Sequence, residues 1–250
     1  MSVRVVYRGA FGNNLFQYIC ARLFAEENDL RLVTPWKAVL NSGQPFDFES
    51  VVYMLPQQGG EVCEGRETAL SDGWPVLDKK WPKGRYGLDG YFQEAKWYWD
   101  RRDRILSFAS VKPVATRPRG EILASVRLGD YFGIKKVIHP SWYHGILSRL
   151  KFDKLYMVTD CPTYPYFDEF KSRYGAIVVH GDAASDFNLG REFDTIICSN
   201  STFSWWSMFF GNASKVYTFK RWAEDPRSNL TIFPGSEAVD GKFLHELQSP

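Results

Sequence analysis

The chain has 250 residues, a length that suits one large domain or two small ones. A hydrophobic fraction of 44% and a charged fraction of 24% are globular values and exclude disorder or coiled coil as the main state. With 31 Lys and Arg against 29 Asp and Glu, the net charge of +2 is too balanced for a protein built to hold a nucleic-acid backbone or an anionic membrane.

Residues 3–7 (VRVVY) predict a strand, followed by a loop with Gly9 and Gly12. Residues 14–27 carry Phe16, Ile19, Cys20, Leu23 and Phe24, a stripe at helical spacing. A second strand is expected at 30–34. From about 35 to 86, Gly and Pro recur throughout and no element can be placed. Residues 111–120 (VKPVATRPRG) have two Pro, three basic residues and little apolar periodicity, which predicts a linker. The second half is clearer. Strands are expected at 121–126, 154–158, 176–179, 195–198 and 215–219, with helices at 141–150, 164–173, 184–192 and 202–210 between them. Short apolar strands alternating with helices imply a parallel sheet covered on both faces, joined by right-handed crossovers. The fold class is α/β, with two Rossmann-like domains, residues 1–115 and 116–250, and a cleft between them.

No apolar run reaches the length of a membrane span, and the first residues lack the apolar core of a signal peptide. Cys20, Cys63, Cys161 and Cys198 form no CxxC pair, so neither a zinc site nor a disulfide framework is expected. The sequons at Asn200, Asn212 and Asn229 read as chance matches. These signs predict a reduced, cytoplasmic protein.

Three segments carry candidate chemistry. Residues 9–14 (GAFGNN) lie between a strand and a helix. Glycines there permit positive φ and close approach of a ligand, and the helix N-terminus suits a phosphate. The alternative is a tight turn with no ligand. Residues 125–131 (SVRLGDY) follow a strand, where ligands of open α/β sheets bind. Arg127 there could clamp a diphosphate through paired, charge-assisted hydrogen bonds, with Asp130 holding the guanidinium. The alternative is a surface ion pair of little worth. Residues 198–207 (CSNSTFSWWS) again follow a strand and open a helix. The hydroxyls suit N-capping and the tryptophans a core, while the helix N-terminus could also hold phosphate oxygens.

Taken together, these segments resemble the α-1,2-fucosyltransferase family. Members open with a G-G-L-G-N-Q-M-F-Q-Y-like loop, here residues 9–18 (GAFGNNLFQY). The family's G-Y-[FW]-Q-x-x-K-Y segment corresponds to 90–98 (GYFQEAKWY), and its H-x-R-R-G-D-Y motif to 125–131. Its S-N-S-[ST]-F-S-W-W signature stands intact at 199–206. The motifs occur in the family's order along the whole chain, while residues 36–86 do not obviously match.

The resemblance implies an inverting, metal-independent glycosyltransferase of GT-B type, moving L-fucose from GDP-fucose to a hydroxyl of a glycan acceptor. The N-terminal domain would be the acceptor side and the C-terminal domain the donor side. The resemblance assigns Arg127 to the β-phosphate and places Asn13 near that phosphate or the acceptor. It gives Gly9, Gly12, Ser125, Gly129, Asp160, Ser199, Ser201, Thr202 and Phe203 to nucleotide-sugar binding. Asp130, Glu94 and His139 are candidates for the general base. No metal and no cofactor is implied beyond the donor itself. Acceptor, linkage and oligomeric state stay open.

The departures bear on the donor. Ser125 replaces the motif's His, Leu128 its second Arg, and the T-D-D-like turn reads Thr159-Asp160-Cys161. Guanine presents N1–H and N2–H₂ donors that a carboxylate would accept. Two lost partners predict weaker preference for GDP, and a UDP-activated pentose such as UDP-xylose is the first alternative. A non-catalytic sugar- or nucleotide-binding protein is the second. Nucleic-acid binding through the basic runs at 79–85 and 101–104 is the remaining rival, and solvated faces account for those runs better.

Overall fold

The computed structural model describes residues 2–34, 36, 38–39, 45–46, 51–57, 66–221 and 232–244. Cys63 and the sequon at Asn229 lie outside them. The chain divides into two compact units, Met1–Lys112 and Pro113–Pro250.

In the first unit, β1 (Ser2–Val5) passes through the glycine loop into α1 (Phe11–Glu27). The helix starts three residues before the expected residue 14, because the Asn14 N–H already bonds the Ala10 carbonyl. Fourteen of its residues are buried, including Asn14, Gln17 and Arg22, so those polar side chains must find partners inside the unit. They do: Asn14 donates to Gln17, Gln17 donates to the Gly90 carbonyl, and Arg22 pairs with Glu26.

The strands that follow are β2 (Arg31–Leu32), β3 (Ala38–Val39), β4 (Pro45–Phe46), β5 (Val52–Met54), β6 (Glu67–Leu70) and β7 (Arg85–Leu88). Helices α2 (Ala95–Trp99) and α3 (Arg102–Phe108) then lead to β8 (Ala109–Val111). A parallel sheet has the order β2-β1-β7-β6, while β3–β4 and β5–β8 form antiparallel pairs. The basic runs of this unit grip the C-terminal end of α1. Arg101 bonds Glu27 at 2.5 Å, Arg104 bonds Glu26 at 2.7 Å and Lys83 pairs with Asp29. Cations at that end also oppose the negative pole of the helix dipole.

The segment expected to link the domains is partly structured. Val111 belongs to the first unit, paired with Val52. Arg117 belongs to the second. Its N–H bonds the Glu192 carbonyl, and its guanidinium reaches the Glu192 carboxylate at 2.8 Å and packs over Tyr156 and Phe193.

The second unit runs β9 (Glu121–Val126), α4 (Gly129–Gly133), α5 (Pro140–Leu147), β10 (Lys154–Thr159), a 3₁₀ turn (Pro165–Phe167) and α6 (Asp168–Tyr174). It continues with β11 (Ile177–Val179), α7 (Ala183–Leu189), β12 (Thr195–Cys198), α8 (Thr202–Phe209), β13 (Lys215–Phe219) and β14 (Glu237–Val239). Local signals fix several ends. His139 caps α5 ahead of Pro140, Asp182 caps α7, and Gly175 closes α6 at φ 60°.

All six strands are parallel, in the order β11-β10-β9-β12-β13-β14. Counted within the unit this is 3-2-1-4-5-6, the Rossmann order. The central strand β9 is buried along its whole length. Ile122, Ala124 and Val126 pack with Trp142, Tyr143, Phe167 and Phe170, while α8 brings in Trp205, Trp206 and Phe209. No helix among the described residues is long and apolar enough to cross a membrane.

Candidate functional site

In the second unit the chain leaves β9 toward β10 on one side and leaves β12 toward β13 on the other. The loops beyond those two adjacent strands therefore diverge and open a crevice. Both second-half motifs end there.

Arg127 stands one residue past β9, its side chain 37% exposed. Two carboxylates hold its guanidinium, with Nη2 2.8 Å from Asp130 Oδ1 and Nη1 3.0 Å from Asp160 Oδ2. Burial works against its charge, and Asp160 and then Asp130 outweigh that, raising its pKa. Asp160 Oδ1 also accepts the Leu128 N–H at 2.9 Å, so one carboxylate fixes both the strand end and the guanidinium. Gly129 is required by this contact, since a side chain there would run into the Asp160 carboxylate. Leu128 is wholly buried and faces the core. The Cys161 thiol beside Asp160 is pushed up in pKa, first by burial.

Across the crevice, β12 ends in Cys198 and α8 begins at Thr202. Ser201 stands at the N-cap with extended backbone, and its hydroxyl makes no capping bond. Ser199 is buried, its N–H donating to Ser125 Oγ at 2.9 Å. Ser125 is itself buried, so its hydroxyl ties the ends of β9 and β12 together. Thr202 is buried in the first turn, and Phe203 packs edge-on against Phe187 of α7. The Tyr131 hydroxyl donates to the Asn200 carbonyl at 2.8 Å, docking α4 against the Ser-Asn-Ser segment.

In the first unit β1 and β7 are adjacent while β2 and β6 flank them, and the remaining two motifs extend from the ends of β1 and β7. Gly9 takes φ 71°, and a side chain there would collide with the Asn13 amide folded over it. Gly12 lies buried in the first turn of α1. Gln93 Nε2 donates to Asn13 Oδ1 at 2.9 Å, joining the glycine loop to the segment after β7. Asp72, beyond β6, accepts the N–H groups of Tyr91 at 2.9 Å and Phe92 at 2.7 Å and holds Phe92 at φ 51°.

The structure thus brings Arg127, Gly129, Asp130, Asp160, Ser125 and Ser199 to Thr202 together at one crevice, and Gly9, Gly12, Asn13 and Gln93 together beyond β1 and β7 of the first unit. Glu94 opens α2 beside Gln93. His139 is spent on its cap, its Nδ1 accepting the Ser141 N–H at 3.1 Å. Asp72 escaped the sequence reading because it follows a short, polar strand. Gln17 escaped because its helix signal hid its role. Among the described residues no three His, Cys, Asp or Glu side chains cluster as a metal site would need.

No protein-family model matches the chain. No curated protein matches it either. Eight solved chains match, among them a crystal structure of NodZ alpha-1,6-fucosyltransferase soaked with GDP-fucose. That match has 15% identity and a TM-score of 0.48, covering 87% of this chain and 94% of the other.

Proposed function

We propose that the protein is a metal-independent, inverting glycosyltransferase that moves L-fucose from GDP-fucose to a hydroxyl of a glycan. The second unit would hold the donor and the first the acceptor. One observation carries this reading. Arg127 stands at the β9–β12 crevice, held by two carboxylates, opposite the N-terminus of α8. A guanidinium so fixed can meet the charge that grows on the departing diphosphate without reorganising in the transition state. The helix N-terminus adds a positive pole on the other side. The acceptor hydroxyl gives its proton to a carboxylate as it attacks. Asp130, half-exposed beside Arg127, and Glu94, beside the Asn13–Gln93 pair, are the two carboxylates suited to this.

The test is thermal unfolding of the whole chain with GDP, UDP and ADP and their sugars, all in excess EDTA. A ligand at 100 times its Kd adds about 2.7 kcal/mol to the folded state. Stabilisation by a nucleoside diphosphate, followed by sugar transfer in EDTA, is the expected result. No shift with any of them, or transfer that returns only on adding a divalent metal, overturns the reading. Because Ser125 and both oxygens of Asp160 are engaged within the protein, GDP is expected to bind less than about a thousandfold, some 4 kcal/mol, more tightly than UDP. Calorimetry with the two nucleotides checks this and decides between GDP-fucose and a UDP-pentose.

Asp160→Asn separates positioning from binding. The amide oxygen can still accept the Leu128 N–H, but the charge beside Arg127 is gone. Misplacing a catalytic group by about 1 Å can cost on the order of 10²-fold. We expect kcat to fall about 10- to 100-fold while the donor KM does not rise, since one negative charge has left an anion site. A raised KM with unchanged kcat would show that Asp160 binds the donor instead.

A further inference from the structure

The two carboxylates that position Arg127 also offset its charge, which leaves a place for a second cation in an anion site. One guanidinium faces two carboxylates, so the trio carries net negative charge where a diphosphate is to bind. A further cation is needed nearby, and the fold supplies one. Helix α4 ends in a Schellman motif, in which the chain turns back through a left-handed residue. Lys135 takes that position at φ 54°, where glycine is the usual choice. Its N–H bonds the Phe132 carbonyl at 3.2 Å, and the next N–H, of Lys136, bonds the Tyr131 carbonyl at 2.9 Å.

Lys136 is then locked from the other side. Its carbonyl accepts Asn200 Nδ2 at 3.1 Å, and the Asn200 carbonyl accepts the Tyr131 hydroxyl at 2.8 Å. Tyr131, Lys136 and Asn200 close a ring of hydrogen bonds that joins both second-half motifs. The ring fixes the Lys136 backbone between α4 and the segment leading into α8. Its side chain is half-buried, and Asp130, the same carboxylate that holds Arg127, favours its charged form.

We propose that Lys136 is a second diphosphate-binding residue, gripping the anion together with Arg127. The inference rests on the reading of the second unit as a nucleotide-sugar domain. Burial lowers the pKa of its ammonium, and Asp130 opposes that. Sequence reading passed over it because it stands outside every motif and beside another lysine.

The experiment uses the full chain and calorimetric titration with GDP and UDP. Lys136→Met keeps the aliphatic stem and its packing while removing the charge, and thermal unfolding checks that the variant folds. A charge-assisted hydrogen bond is worth enough that its loss should weaken diphosphate binding about 10- to 100-fold. Binding of guanosine and uridine, followed by saturation-transfer NMR, should not change. Lys136→Arg should restore most of the affinity and also serves if the Met variant does not fold. Unchanged diphosphate affinity in the Met variant overturns the proposal and leaves the glycosyltransferase reading standing. An equal loss for the nucleosides also overturns it, by showing a structural role. If the natural chain binds neither GDP nor UDP, the site reading fails and this inference fails with it.

Discussion

Arg127→Lys is expected to lower sugar transfer by on the order of 10²–10³, about 3 kcal/mol, while leaving the unfolding transition nearly unchanged. The native guanidinium spans two carboxylates at once, 2.8 Å from Asp130 and 3.0 Å from Asp160. That span needs a planar fork. An ammonium keeps the charge but presents a single point on a flexible stem, so it cannot hold both anchors and also offer two parallel donors to a phosphate. The effect should fall on kcat, because the interaction grows as charge develops on the leaving group. Steady-state kinetics with the donor found by the nucleotide screen measures it. A lysine variant with near-normal turnover would remove Arg127 from the chemistry.

Trp206→Ala is expected to cost about 3–5 kcal/mol of stability, the usual range for emptying a large buried aromatic site. Trp206 is fully buried, edge-on to Trp205 with ring centroids 4.8 Å apart and to Phe209 at 5.0 Å. None of these neighbours can move in to fill the space without losing its own contacts. Whole domains are stable by only about 5–15 kcal/mol, so the second unit would become marginal. Urea unfolding followed by far-ultraviolet circular dichroism gives the value. A loss below about 1 kcal/mol would mean that the site collapses freely and that the packing of α8 is not tight.

Legibility in the sequence differs sharply between the two units. In the second, β9, β12 and β13 have the ends expected from their apolar runs, because each is a central strand bounded by turn or capping residues. The edge strand β14 leaves no signal, since Glu237–Val239 is short, largely exposed and has no apolar pattern. Helix α4 was missed because two of its residues are glycines. Tertiary bonds, from the Leu128 N–H to Asp160 at its start and from the Tyr131 hydroxyl to Asn200 at its middle, hold it instead of propensity. In the first unit, β6 and β7 read ETAL and RYGL, and their strand character comes from parallel neighbours.

The same division governs the site. Arg127 and the run from Ser199 to Trp206 are visible because their meaning is local, a strand end followed by a helix start. The contacts that complete the site are not local. Asn13 meets Gln93 across 80 positions, Ser125 meets Ser199 across 74, and Asp160 reaches back 32 to Leu128. No periodicity within either segment encodes such a meeting. Only the order of strands in each sheet brings them together.

Helix α8 has two ends with different duties, and this bears on how the chain tolerates change. Its first turn borders the proposed anion site, and the next turn drives two tryptophans into the core. A library saturating this run would meet two separate filters. Variants at the partly exposed Ser201 would be made in normal amounts yet lack activity, whereas variants at Trp205 and Trp206 would vanish from the soluble fraction before activity could be assayed. A screen scored by activity alone would blur these into one intolerant block. Scored by abundance as well, the block would split within a single helical turn.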